Sequence, residues 1–159
     1  MTDTCLKSIR LLLLDVDGVL TAGEVIYNDL GQETKAFNVR DGLGIRLLMA
    51  AGIRVGIVTG RRSKALMHRC NNLGIELVKT GIRDKAAALD ELLRETGLTA
   101  SVTAFVGDDL PDLPILRRVG VPIAVGDAHD RVKQAALITT RAPGGRGAVR
   151  EISERILQA

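Results

Sequence analysis

Four short runs in this chain are apolar at nearly every consecutive position: Ile9 to Leu14, Ile53 to Val58, Val102 to Val106 and Val121 to Val125. A strand with one wet face alternates apolar and polar residues, whereas a continuous apolar run buries both faces. Between these runs lie stretches with apolar residues at helical spacing: Leu43 to Ala51, Ser63 to Leu73, Lys85 to Glu95, Leu110 to Val119 and Ala148 to Leu157. Doubly buried strands separated by helices predict a parallel sheet covered on both sides, an α/β fold of three Rossmann-like layers. Asp84 is the expected N-cap of the helix that starts at Lys85. The 159 residues are the size of one domain, 1–159.

One segment departs from the rhythm. Strand-like stretches at Glu24 to Tyr27 and Thr34 to Phe37 flank the turn-forming Asn28-Asp29-Leu30-Gly31. This pattern predicts a β-hairpin of about 23–39 inserted after the first strand.

Composition narrows the function classes. Aromatic residues are 2% of the chain and Trp is absent, so stacking of nucleic-acid bases has no platform. The net charge of +3 is spread along the chain and gives no clustered nucleic-acid footprint. The leucines 11–14 run directly into Asp15, too short a stretch for a signal peptide or a membrane span. Cys5 and Cys70 have no zinc-type spacing and are too few for a disulfide framework. A cytoplasmic protein with neither a nucleic-acid nor a membrane partner is expected.

Chemistry gathers at the strand ends, where ligands bind in an open parallel sheet. The first strand runs into Asp15-Val16-Asp17-Gly18, the second into Thr59-Gly60-Arg61, and a later one into Gly107-Asp108-Asp109 with Asp112 close behind. Lys85 opens a helix between the last two. Each motif alone is commonplace; their joint occurrence, each at a strand end, is not. Asp15 suits nucleophilic attack on phosphorus to form an aspartyl-phosphate. Crowded carboxylates need a dication, and Mg2+ suits oxygen ligands from Asp15, Asp108 and the backbone carbonyl of Asp17. The Asp17 side chain is placed to protonate a leaving oxygen and then activate water. Thr59 and Lys85 are placed to hold phosphoryl oxygens.

In this order the motifs resemble those of the haloacid dehalogenase superfamily: Asp15 and Asp17 first, Thr59 second, Lys85 third, Asp108 with Asp109 fourth. The second acid, Asp17, implies phosphatase or mutase chemistry. The segments between Asp17 and Thr59 and between Thr59 and Lys85 are too short for the cap domain that many members carry. A capless core implies that a neighbouring subunit covers the site, with the hairpin as a natural contact.

Longer runs are similar to the 3-deoxy-D-manno-octulosonate 8-phosphate (KDO-8-phosphate) phosphatases of lipopolysaccharide precursor synthesis. They are Asp15 to Thr21, Lys35 to Arg46, Thr59-Gly60-Arg61 with Arg69-Cys70, and Gly144 to Glu151. The resemblance implies a magnesium-dependent homotetramer acting on an acidic sugar phosphate. It also implies substrate contacts from Asp17, Asn38, Val39, Arg40, Asp41, Gly42, Arg46, Arg61, Arg69 and Lys85. Arginine suits both the carboxylate and the phosphate of such a substrate. On one helix Arg61 and Arg69 would share a face about 12 Å apart, so one could serve a site in the next subunit. Gly144 to Gly147 is expected either to loop over the entrance or to connect flexibly to the last helix. Relatives often carry a C-terminal tail that reaches a neighbouring site, whereas this sequence ends at Ala159, which leaves the role of such a tail open. Two alternatives stand beside this reading: a phosphatase for a nine-carbon sialic-type acid phosphate, and a non-catalytic oligomerisation domain. Gly60-Arg61 in place of Gly-Glu favours the eight-carbon acid over the first, and an intact motif set disfavours the second.

Overall fold

The first strand, β1 (Leu11–Leu14), consists of four leucines, each with no solvent exposure. Such a segment is stable only at the centre of a sheet, where burial of each leucine contributes about 1.5–3 kcal/mol. The computed structural model, which describes residues 2–159, puts it there. A six-stranded parallel sheet runs in the order β5 (Leu77–Lys79), β4 (Arg54–Val58), β1, β6 (Thr103–Gly107), β7 (Val121–Ala124) and β8 (Ile138–Thr139). The register sets Leu14 beside Ile57 on one side and Val106 on the other. The chain winds outward from β1 to β5, then returns to the other side for β6 to β8. The switch between the two directions lies between β1 and β6.

Among the described residues seven helices accompany the sheet: α1 (Thr2–Lys7), α2 (Val39–Ala50), α3 (Lys64–Leu73), α4 (Lys85–Thr96), α5 (Leu113–Leu116), α6 (Asp130–Ala135) and α7 (Ala148–Gln158). Contacts link α7 with α1 and α2, and α2 with α3; a second set links α5 with α4 and α6. The expected α/β layering is thus present, and only the hairpin stands between β1 and α2, with no cap domain. Asp84 caps α4 as expected, accepting the N–H groups of Ala86 and Ala87.

Local details differ from the sequence reading for identifiable reasons. The helix expected over Leu110 to Val119 is a 3-10 turn (Leu110–Asp112) followed by the single-turn α5, because Pro111 and Pro114 each remove a backbone donor. The hairpin has two-residue strands, β2 (Ile26–Tyr27) and β3 (Glu33–Thr34). Its turn closes on Asn28, whose side-chain oxygen accepts from Leu30 and Gln32. Beyond it Asn38 caps α2, accepting from Arg40 and Asp41, so that α2 begins at Val39 and not at Leu43. The helices α1 and α6 and the strand β8 are too short to leave a periodic signal.

Close approach of α2 and α7 depends on Gly44, where a Cβ would stand 2.9 Å from Ser153 Oγ and 3.2 Å from Arg150 Cα. Glycine in a helix costs roughly 1 kcal/mol relative to alanine, whereas overpacking a tight contact costs about 1–3 kcal/mol. Gly44→Ala is therefore expected to destabilise the protein by up to about 2 kcal/mol despite its better helix propensity; a higher urea midpoint would contradict this account of the α2–α7 contact.

Candidate active site

Asp15 directly follows β1 and donates its N–H to Val106 in β6 at 3.1 Å, while Asp108 directly follows β6. The two carboxyl groups therefore flank the switch point of the sheet, the position where open α/β sheets bind ligands. Thr59 follows β4 and is buried; its hydroxyl accepts the Arg61 N–H at 3.3 Å. Asp15, Asp17, Thr59, Arg61, Lys85 and Asp108 line one open cavity of about 330 Å³.

Lys85, the first residue of α4, is 5% exposed. Its ammonium lies 2.9 Å from Asp15 Oδ1 and 2.5 Å from Asp112 Oδ1. Asp112 is also buried, and its second oxygen accepts the Asp108 N–H at 2.9 Å and the Asp109 N–H at 3.4 Å. Both oxygens of Asp112 are thus engaged, and it holds Lys85 and the turn after β6 in place. The sequence reading noted Asp112 beside the motif but gave it no role. Its only signal there is its position four residues beyond Asp108.

Oxygens of Asp15, Asp108 and Asp112 lie within 4.8 Å of one another. Burial and the neighbouring Asp112 push the Asp15 carboxyl up to about 6, against the pull of Lys85. Burial, Asp15 and Asp112 push Asp108 up to about 8. Burial opposes the charge on Lys85, but Asp15 and Asp112 hold it protonated. One lysine does not balance three crowded carboxyl groups, so this donor set fits a hard dication. Asp15 and Asp108 are the carboxylates free to hold it.

The Asp17 side chain lines the same cavity but is engaged by the hairpin and not by this cluster. It pairs with Lys35, and its other oxygen lies 3.8 Å from Arg61 Nε. Arg61 in turn bonds Glu33 at 2.5 Å and the Tyr27 hydroxyl at 3.4 Å, and Lys35 stands 3.3 Å from Glu33. The Arg61 hydrogen bond, with help from Ser63 and Lys35, lowers the Glu33 carboxyl to about 2. Four alternating charges therefore tie the hairpin to Asp17. Sequence reasoning missed Lys35 and Glu33 as site residues: Glu33 lies in β3 and Lys35 just beyond it, and nothing local ties either to Asp17.

The remaining expected substrate residues do not reach this cavity within one chain. Val39, Arg40, Gly42, Arg46 and Arg69 line a separate depression of about 360 Å³ between α2 and α3. Arg69 donates to the Asn38 carbonyl at 3.3 Å and lies over the Phe37 ring, and Arg46 donates to the Asn72 carbonyl at 2.6 Å. Asn38 is occupied in capping α2, and the Asp41 side chain is buried against α7.

Residues 75–152 match the model of the haloacid dehalogenase-like hydrolases. The 3-deoxy-D-manno-octulosonate 8-phosphate phosphatase of Escherichia coli is 46% identical over 96% of this chain and 81% of its own length. The crystal structure of the Yersinia pestis enzyme superposes with a TM-score of 0.96 at 46% identity, covering 98% of this chain and 84% of that one. The Moraxella catarrhalis enzyme, solved with magnesium, phosphate and KDO, gives a TM-score of 0.96 at 42% identity, covering 98% of this chain and 90% of that one. The acid pairs at the strand ends and the matches along nearly the whole chain agree, and the chain belongs to the 3-deoxy-D-manno-octulosonate 8-phosphate phosphatase family of haloacid dehalogenase-like hydrolases.

Proposed function

We propose that this protein is a cytoplasmic, magnesium-dependent phosphatase that hydrolyses KDO-8-phosphate to KDO and phosphate in lipopolysaccharide precursor synthesis. The observation that carries the reading is the convergence of Asp15, Asp17, Thr59, Lys85 and Asp108 on one cavity, in a chain so similar to known KDO-8-phosphate phosphatases.

Asp15 attacks phosphorus; the bond to the sugar oxygen breaks, and Asp17 delivers a proton to that oxygen. A water then attacks the aspartyl-phosphate, Asp17 takes its proton, and the bond to Asp15 breaks to release phosphate. Lys85, pinned between Asp15 and Asp112, aims the nucleophile and offsets charge on the phosphoryl oxygens, as does the Thr59 hydroxyl. Asp15, Asp108 and the Asp17 carbonyl would hold Mg2+, which supplies electrostatic stabilisation of the transferring group. Arg61, which lines the same cavity, contacts the substrate.

The single 1–159 domain works within a homotetramer on this reading. Val25, Ile26, Tyr27 and Leu30 on the hairpin, with Val39, Leu43 and Leu47 on α2, are exposed apolar residues suited to assembly. The Asn38–Gly42, Arg46 and Arg69 surface then faces a neighbour's cavity and contributes to binding the far end of the substrate there.

Asp15→Asn is expected to lower phosphate release from KDO-8-phosphate by about a thousandfold or more while the circular dichroism spectrum is unchanged. Retention of activity would refute the nucleophile assignment. Metal linkage gives a second test. Without metal the folded-state values of about 6 for Asp15 and about 8 for Asp108 exceed the unfolded value near 4. The folded chain then binds more protons than the unfolded chain between about pH 4 and 8, so these two groups lower stability as pH rises through that window. A bound dication removes the repulsion. Magnesium is expected to raise Tm over a chelator control more at pH 8 than at pH 5, and an equal or smaller gain at pH 8 would contradict the site.

A further inference from the structure

Asp41 lies in the run expected to touch substrate, yet it is 1% exposed. Its carboxylate accepts the Arg150 N–H at 2.8 Å and the Gly147 N–H at 3.4 Å. The helix α7 starts after Gly147, which has φ 105° and no side chain to offer as a cap. A carboxylate carried by α2 therefore caps α7 and satisfies donors that the helix leaves free.

From that cap the contacts continue into the active site. Gly145 donates its N–H to the Val19 carbonyl at 2.8 Å, and Gly144 donates to Asp127 Oδ1 at 2.8 Å. A Cβ on Gly144 would stand 1.7 Å from the Gly18 carbonyl oxygen, and one on Gly145 would stand 2.3 Å from Ala22 N. Gly18 itself, at φ 89°, is pressed against the site, since a Cβ there would meet Asp108 Oδ2 at 2.0 Å. The intervening turn closes on the Val16 carbonyl, which accepts from Val19, Leu20 and Thr21. The glycine segment is thus neither a cover over the entrance nor a flexible connection; it backs the loop that carries Asp17.

We propose that Asp41 is a positioning residue for this reaction: by capping α7 it fixes the Gly144–Gly147 turn, and that turn holds the loop of residues 16–22 against Asp108. Its side chain makes no substrate contact. The inference rests on the reading of Asp15 and Asp17 as reacting groups. Loss of the cap loosens the Asp17 carbonyl and side chain while the substrate-binding surface stays in place. Misplacement of a reacting group by about 1 Å can cost on the order of 100-fold in rate.

The test is Asp41→Asn in the full chain with saturating magnesium, assayed on KDO-8-phosphate and on p-nitrophenyl phosphate. A fall in kcat of about 10- to 100-fold is expected, with KM changed less than about threefold. Amide hydrogen exchange is expected to quicken over residues 16–22 and 143–150 and to stay slow in β1. A raised KM with unchanged kcat would make Asp41 a substrate contact and overturn the proposal. So would unchanged kinetics, or exchange that quickens across the whole chain and marks a purely global loss of stability. If Asp41→Asn does not fold, Asp127→Ala removes the acceptor of the Gly144 N–H from an exposed side chain and must give the same kcat loss and local exchange. Wild-type turnover of p-nitrophenyl phosphate alone would refute the sugar-acid assignment and leave the kinetic split to be read on that ester.

Discussion

Pairing of β1 with β6 brings two carboxyl groups together that electrostatics would separate. Leu14 lies beside Val106 in register, so the residues that follow, Asp15 and Asp108, emerge side by side from a buried sheet. The fold can keep both ionised only with compensating charge. Lys85 supplies part of it from the start of α4, and Asp112 fixes Lys85 in turn. The shortfall is what makes a dication fit. Carboxylate crowding is thus a direct consequence of strand register, and the need for metal follows from the crowding.

Around this centre the chain divides its labour. Strand ends carry the carboxyl groups and Thr59 that line the cavity. The hairpin reaches Asp17 through Lys35 and holds Arg61 through Glu33. Arg46 and Arg69 line a depression separate from the cavity of their own chain. A core without a cap leaves its cavity open, and the separation of these two surfaces is the physical ground for proposing that subunits complete one another. On that proposal Asp41 belongs to both halves: its backbone lies in the run beside that depression, and its side chain anchors the turn behind the loop that carries Asp17.

Much of this was legible in the sequence, for a physical reason. Strands buried on both faces leave continuous apolar runs, and the residue that ends such a run must lie at the sheet edge. Asp15, Thr59 and Asp108 each follow such a run, and Lys85 opens its helix. What stayed hidden depends on contacts between distant segments. Lys35 with Asp17, and Asp41 with Arg150, are pairs that no spacing rule connects. The helix expected from Leu43 starts four residues earlier, at Val39, because Asn38 is its cap. The segment 110–119 read as one helix because its apolar periodicity outweighed Pro111 and Pro114.

Attack of the Asp15 carboxylate oxygen on phosphorus can be read directly. Wild-type enzyme quenched in acid during turnover of KDO-8-phosphate, then reduced with borohydride, converts any aspartyl-phosphate to homoserine. Peptide mass spectrometry is expected to find homoserine at position 15 and nowhere else. Homoserine at Asp17 or Asp108, or turnover with none at any position, would contradict the account.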